Sequence, residues 1–548
     1  MSRLSRRLLA AATIIMVAIL SFAIAPGTAR AADTGAITVD GTVATRYDAY
    51  QLFSATVIDG ADADQKVATD VTWANDAVRQ VVLPVLHDAG LDSSASTAQE
   101  AAEWMNASGH MTTALAAKLA RAICNAGAPS VTLNAGTAAE LPCGYWLIVA
   151  DDDAIAQGEA GTAPIMALVG GSAVTVKPKA ATPKVAKHVL EDSTAAWQKA
   201  ADATVADDLY WRLSATVPAG LTAYDTYSVR FVDTMSAGLD PSKVASSMRV
   251  YVAAGADGGF DAASTGKDGR AGTEPAQGWA DITAQCKVSV EGNAFTVRTG
   301  DLIAALGGAD AFTAGARVVA FYNAPLGANC NRGATKGNPN EVCLRYPRSP
   351  FADQSGDAGF TRTPSADATA YTWGLSLIKR SSSDDSPLAG AKLRIVDDRG
   401  RALSADGTWS TDADACIVTD KGGCVELNGV DAGVYTVEEV AAPKGYTAFE
   451  GKRTVTVTAE GLDVKQVAAA KPKVTVSVES PLRVDAADAG AGSIELSVLN
   501  APSKEASRGF MPSTGDRTLV LVAALAAIGA AVIVVALVIK RGGGRRGK

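Results

Sequence analysis

The sequence predicts a mainly β protein: β-sandwich domains in tandem, the first with a helical insertion, between a leader and an apolar tail. Three features point there. Short runs with apolar residues at every second position recur through the body. Only one long stretch, residues 97–124, is helix-like in pattern, and Pro-rich or polar seams divide the body into three blocks. A length of 548 residues agrees, since a domain takes roughly 100–200. Composition narrows the function. A net charge of −8 argues against a nucleic-acid binder, whose mark is a clustered basic face. The three histidines (His87, His110, His188) lie near no cysteine pair at zinc-ligand spacing, so no metal site or cofactor is expected.

In chain order, residues 1–31 read as a cleaved signal peptide. Arg3, Arg6 and Arg7 precede an apolar Leu8–Ala25, and Ala29-Arg30-Ala31 supplies small residues for cleavage. The first domain, 32–180, opens with strand-like ITVDGTVATRYDAYQLFSATVID. Its helical middle, TAQEAAEWMNASGHMTTALAAKLARAIC, is followed by strand-like GYWLIVADD and PIMALVGGSAVTVKPK. The second, 181–352, alternates in TYSVRFVD, MRVYVAA, CKVSV and RVVAFYN, with a Gly/Ala/Asp-rich surface loop from Ala254 to Gly278. Residues 353–370 read as a linker. The third domain, 371–502, has seven short alternating runs, the pattern of a β-sandwich. Residues 503–548 hold a polar spacer, the apolar Thr518–Ile539, long enough to span a bilayer, and a basic tail. Without leader and tail the body is acidic, about −17.

Export permits disulfides. The seven cysteines offer one local pair per domain: Cys124 with Cys143, Cys330 with Cys343, and Cys416 with Cys424, leaving Cys286 over. Pairing in the second domain stays open. Asp151–Asp153 and the acidic run from Asp59 to Asp64 lack EF-hand spacing and read as solvated loops.

Just before the apolar tail stands Met511-Pro512-Ser513-Thr514-Gly515. Pentapeptide, span and basic tail together resemble the sorting signal of Gram-positive surface proteins, with Met511 where Leu is usual. The resemblance implies that sortase cleaves after Thr514 and passes its carboxyl to an amine. Upstream, Tyr435-Thr-Val-Glu-Glu-Val-Ala-Ala-Pro-Lys-Gly-Tyr446 resembles the E-box of Gram-positive pilins. Leu375-Ser-Leu-Ile-Lys379 and Leu496-Ser-Val-Leu-Asn500 resemble the first and last strands of a Cna-B-type immunoglobulin-like domain. The resemblance implies a Lys379–Asn500 isopeptide bond promoted by Glu439. The alternation itself points Lys379 inward with Leu375 and Leu377, and Asn500 inward with Ile494, Leu496 and Val498. Burial lowers a lysine's pKa and leaves an amine able to attack.

The second domain resembles the middle domain of backbone pilins through Pro183-Lys-Val-Ala-Lys187 and Phe231-Val-Asp233-Thr-Met. Lys187 and Asp233 would be its lysine and acid. The family then expects Tyr-Ser-Asn; this chain reads Tyr346-Pro347-Arg348. Arginine has no side-chain carbonyl for a lysine amine to attack, so a bond here would need Asn323, Asn338 or Asn340 in a shifted register. Val174-Thr-Val-Lys177-Pro-Lys179 resembles the pilin linkage motif, with Lys179 as acceptor and Lys177 and Lys184 near enough to compete.

Together these resemblances imply a backbone pilin: a secreted, wall-anchored structural subunit and not an enzyme. Thr514 of one subunit would join Lys179 of the next. The implied partners are sortase, identical subunits, peptidoglycan, tip or ancillary pilins and host receptors. An ancillary pilin or monomeric wall-anchored adhesin is the alternative use of the same domains.

Overall fold

A computed structural model describes residues 33–60, 65–178, 182–255, 278–312, 315–412, 414–488, 490 and 492–503. The leader, Lys179, most of the loop 254–278, the sorting pentapeptide and the apolar tail lie outside them. Among the described residues no helix is long and apolar enough to cross a membrane. The chain is mainly β and divides into two compact units. The first takes 33–331, 336–371 and 461–471; the second takes 332–335, 372–460 and 472–503.

The first unit opens with a sheet in the order Lys66–Trp73, Arg46–Asp59, Gly144–Ala150, Ile165–Val169, with Val131–Asn134 paired to Arg46–Asp59. Its central run GYWLIVA is buried at every position because both faces are covered. Tyr145, Leu147 and Val149 pack with Val82, Leu86, Leu119 and Ile123 of the helical insertion. Trp146, Ile148 and Ala150 pack on the other side against Ile37, Val39, Val174 and Val176. Each inserted helix starts at a capping side chain: Asn75 for Asp76–Asp88, Thr97 with Glu100 as a capping box for Ala98–Asn106, and Thr112 for Thr113–Asn125.

The rest of that unit is a sandwich. One sheet runs Ala196–Gln198, Lys184–Glu191, Tyr210–Val217, Ala316–Asn323, Arg249–Ala254, Ala280–Asp281. The facing sheet runs Ala200–Asp202, Ala366–Tyr371, Asn338–Pro347, Arg230–Met235, Ala294–Arg298, Lys287–Glu291. Trp211, Leu213, Val318 and Tyr322 meet Phe231, Val342, Leu344 and Tyr346 between the sheets. The expected linker 353–370 is corrected here. Phe360–Arg362 pairs with the end of Asn338–Pro347, and Ala366–Tyr371 is a full strand of the sandwich. Ala368 and Ala370 are wholly buried, but such small side chains give too weak an alternation to read as a strand.

The second unit is also a sandwich. One sheet runs Cys424–Val430, Trp373–Ser381, Ser493–Pro502, Tyr446–Thr447, with Leu482–Asp488 beside Ser493–Pro502. The other has Lys392–Val396, Gly433–Ala441, Lys452–Glu460 and Lys473–Val478 in order. Trp373–Ser381 and Ser493–Pro502, the first and last strands, are parallel neighbours, registered from Gly374 opposite Ser493 to Ser381 opposite Asn500.

None of the three expected disulfides is formed among the described residues. The Cys124 thiol lies against the Tyr50 hydroxyl at 3.5 Å, while the Cys143 carbonyl accepts from Ala55 N–H. Tyr50 and Ala55 are about 16 Å apart along one strand, whereas disulfide-linked Cα atoms lie within about 7 Å. Cys330 packs on the sandwich core, but Cys343 alternates with buried Val342 and Leu344 and faces the other way. Cys416 precedes Ile417–Val418 in one sheet, and Cys424 opens a strand of the opposite sheet. Closeness in sequence put each pair on divergent backbone.

Candidate functional site

In the second unit Lys379, Glu439 and Asn500 come together from three strands and both sheets. Alternation does the placing. Lys379 follows Leu375 and Leu377 inward, Asn500 follows Leu496 and Val498, and Glu439 follows Tyr435 and Val437, while Glu438 turns outward to Arg394. Gly423 fixes the Lys379 backbone: its carbonyl accepts the Lys379 N–H at 2.7 Å. At φ +73° a Cβ on Gly423 would sit 2.7 Å from the Lys379 carbonyl oxygen, so glycine is required there.

Lys379 is fully buried, with Asn500 2% and Glu439 7% exposed. Lys379 Nζ is 3.0 Å from Glu439 Oε2 and 2.5 Å from Asn500 Oδ1, and Asn500 Nδ2 donates to Glu439 Oε1 at 2.7 Å. Phe449 closes the site, its backbone N–H donating to Glu439 Oε2 at 3.0 Å and its ring 4.9 Å from the amine. Burial pulls the Lys379 amine below the usual lysine range, against the opposing pull of Glu439. One carboxylate therefore touches both nitrogens that an amide exchange would have to deprotonate and protonate.

The first unit holds a second constellation of the same kind. Lys187, Asp233 and Asn340 are each fully buried. The Lys187 ammonium bonds Asp233 Oδ2 directly and lies 2.8 Å from the Tyr322 hydroxyl, which also accepts from Asn340 Nδ2 at 2.9 Å. Burial brings the Lys187 amine down to about 8 and pushes Asp233 up to about 6. Of the three asparagines left open, only Asn340 joins this network. Asn338 is spent on the backbone of Asn331 and Ala370, and Asn323 on Leu209 N–H and Asp208.

Position 348 lies elsewhere. It is beyond the end of the same strand, about 26 Å along from Asn340, so an asparagine there would not reach Lys187. Arg348 instead donates to the Asp152 carbonyl at 3.2 Å, and its own carbonyl accepts from Gly161 at 2.6 Å. Sequence pattern missed Tyr322 and Phe449. The inward alternation Val318, Ala320, Tyr322 was the available signal for the first.

Lys179 and Met511–Gly515 lie outside the described residues. Lys177, two residues before Lys179, follows the short strand Val174–Val176, which runs parallel to Thr34–Val39. Its side chain is exposed, with Asp40 at 3.6 Å. Lys184, also exposed, opens the next strand.

These features define a tandem β-sandwich protein with two buried lysine–carboxylate–asparagine sites. Residues 374–471, which hold Lys379 and Glu439, match the SpaA family, a prealbumin-like fold domain. Similar solved structures include the T6 backbone pilin of serotype M6 Streptococcus pyogenes, at 14% identity over 87% of this chain and 100% of that one (TM-score 0.48). The major pilin SpaD from Corynebacterium diphtheriae is similar at 13% identity over 86% and 98% (TM-score 0.43). BcpA, the major pilin subunit of Bacillus cereus, is similar at 12% identity over 86% and 99% (TM-score 0.39). No curated protein matches the chain.

Proposed function

We propose that the chain is the repeating structural subunit of a cell-surface pilus, stiffened by internal Lys–Asn isopeptide bonds and joined end to end by sortase. The observation that carries this is the Lys379–Glu439–Asn500 geometry, with Lys379 and Glu439 in the segment that matches a prealbumin-like family and all three upstream of a sorting-type pentapeptide.

Glu439 Oε2 takes a proton from Lys379, and the free amine attacks Cγ of Asn500. Glu439 Oε1 then passes the proton to Nδ2, the Cγ–Nδ2 bond breaks, and Glu439 takes the second Nζ proton and gives it to the departing ammonia, which leaves as ammonium. The protein provides burial, alignment and one proton carrier; Phe449 shields the pair from water. The first-unit site would join Lys187 to Asn340 with Asp233 as acid. Between subunits, the Thr514 carboxyl would be passed to Lys179, with Lys177 and Lys184 as neighbouring amines, and the finished polymer to peptidoglycan.

Intact mass of the body tests the internal bonds, because each one removes an ammonia, about 17 Da. Two bonds should appear in the natural chain and one in Glu439→Ala; a natural chain at full sequence mass would overturn the cross-linking. Assembly is tested in a sortase-bearing cell, where an SDS-resistant ladder should vanish on Lys179→Ala. A single wall-anchored band from the natural chain would favour the monomeric adhesin.

A further inference from the structure

We propose that Tyr322 is a catalytic member of the first-unit site, relaying a proton from the Lys187 amine to the Asn340 amide nitrogen as the two side chains join. The role rests on the cross-linking assignment of Lys187, Asp233 and Asn340 given above. It follows from a difference between the two sites.

Glu439 gives one oxygen to each reacting nitrogen. Aspartate is one methylene shorter. Asp233 Oδ2 meets the Lys187 amine, but Asp233 Oδ1 is buried with no hydrogen-bond partner among the described residues. The Tyr322 hydroxyl fills the gap, at 2.8 Å from Lys187 Nζ, 2.9 Å from Asn340 Nδ2 and 3.3 Å from Asp233 Oδ2. A hydroxyl kept only to satisfy its own burial needs one partner; this one has the acid, the nucleophile and the leaving group. Its ring is fixed edge-on to Phe295 at 4.8 Å, and its strand lies between Tyr210–Val217 and Arg249–Ala254.

The steps balance. Lys187 gives a first proton to Asp233, and the neutral amine attacks Asn340 Cγ, placing negative charge on Oδ1. That oxygen is buried and without a hydrogen-bond partner among the described residues. In the tetrahedral intermediate Nδ2 regains a basic lone pair. Tyr322 gives Nδ2 its proton and takes the second proton from Nζ, the Cγ–Nδ2 bond breaks and ammonia departs. Ammonia takes the proton held on Asp233, restoring the carboxylate.

The test is Tyr322→Phe in the full body, which removes only the hydroxyl. Freshly synthesised chains are sampled over time by intact mass, and the Lys187–Asn340 peptide pair is read by fragmentation. The natural chain should contain the linked pair. Tyr322→Phe should form it about 100-fold more slowly or not at all, while the Lys379–Asn500 pair forms normally. Linkage at the natural rate would overturn the relay and leave the triad intact. No linked pair in the natural chain would overturn the triad and the relay with it. Lys187→Met supplies an unlinked reference for the thermal transition. If Tyr322→Phe melts below it, 3-fluorotyrosine at 322 replaces the variant. Its more acidic phenol should move the pH profile of linkage, and an unmoved profile would overturn the relay.

Discussion

Lys187 and Lys379 are fully buried, each paired with a buried carboxylate, and burying charge is costly even when it is paired. In the proposed reaction, converting each amine to an amide would remove that charge from the core. The change should be visible in the pH dependence of stability. In Asn340→Ala, which cannot form the bond, Lys187 keeps a folded pKa of about 8 against an unfolded 10.5. A depressed lysine makes the folded state bind fewer protons than the unfolded one between those values. Stability of the variant should therefore rise as pH increases from about 8 to 10.5 and fall on the way back. If the natural chain is linked as proposed, it has no amine at 187 and should lack that rise. Denaturant unfolding of both proteins across the interval checks it, and parallel curves would mean that Lys187 is an ordinary ion-paired lysine in both.

At the scale of elements, legibility depended on how strongly a strand declares its inward face. Lys379 and Asn500 each continue a row of large apolar residues, so two-residue alternation points them into the core; Glu439 also follows Tyr435 and Val437 inward, but in the sequence it is marked by the E-box resemblance. Asn340 continues the row Val342, Leu344, Tyr346 just as clearly. It was hidden because Asn338 shares its face, and separating them depends on where the facing sheet stops. Ala366–Tyr371 was illegible for another reason, since alanine and threonine carry little hydrophobic contrast. The cysteines misled because a short span in sequence says nothing about the face each residue takes. The corrected strand has a consequence. Ala368→Asp would place a charge at a fully buried position and should destabilise the first unit by several kcal/mol. The same change in a solvated linker would stay within about 0.5 kcal/mol. Urea unfolding of the body distinguishes the two, and an unchanged midpoint would return 366–371 to linker status.

At the scale of the whole molecule, the proposed role makes the path of tension through a subunit joined at both ends the quantity that matters. In the second unit force enters at the start of Trp373–Ser381 and leaves at the end of Ser493–Pro502. These strands are parallel neighbours, so tension slides them past each other and loads their hydrogen bonds together. Lys379 lies near the far end of the first strand and Asn500 near the exit of the second. A covalent bond between them carries tension from one strand straight to the other, and the roughly 120 residues between are bypassed. Single-molecule pulling through residues 373 and 502 should show no unfolding of this unit in the natural chain before attachment fails. Glu439→Ala should unfold with a contour gain of order 400 Å, since about 120 residues extend by roughly 3.4 Å each. By loop entropy alone the proposed bond would add about 5 kcal/mol, but under load its value would be that the stretch has no unfolding path short of breaking an amide. A full-length unfolding step in the natural chain would show that Lys379 and Asn500 remain separate side chains.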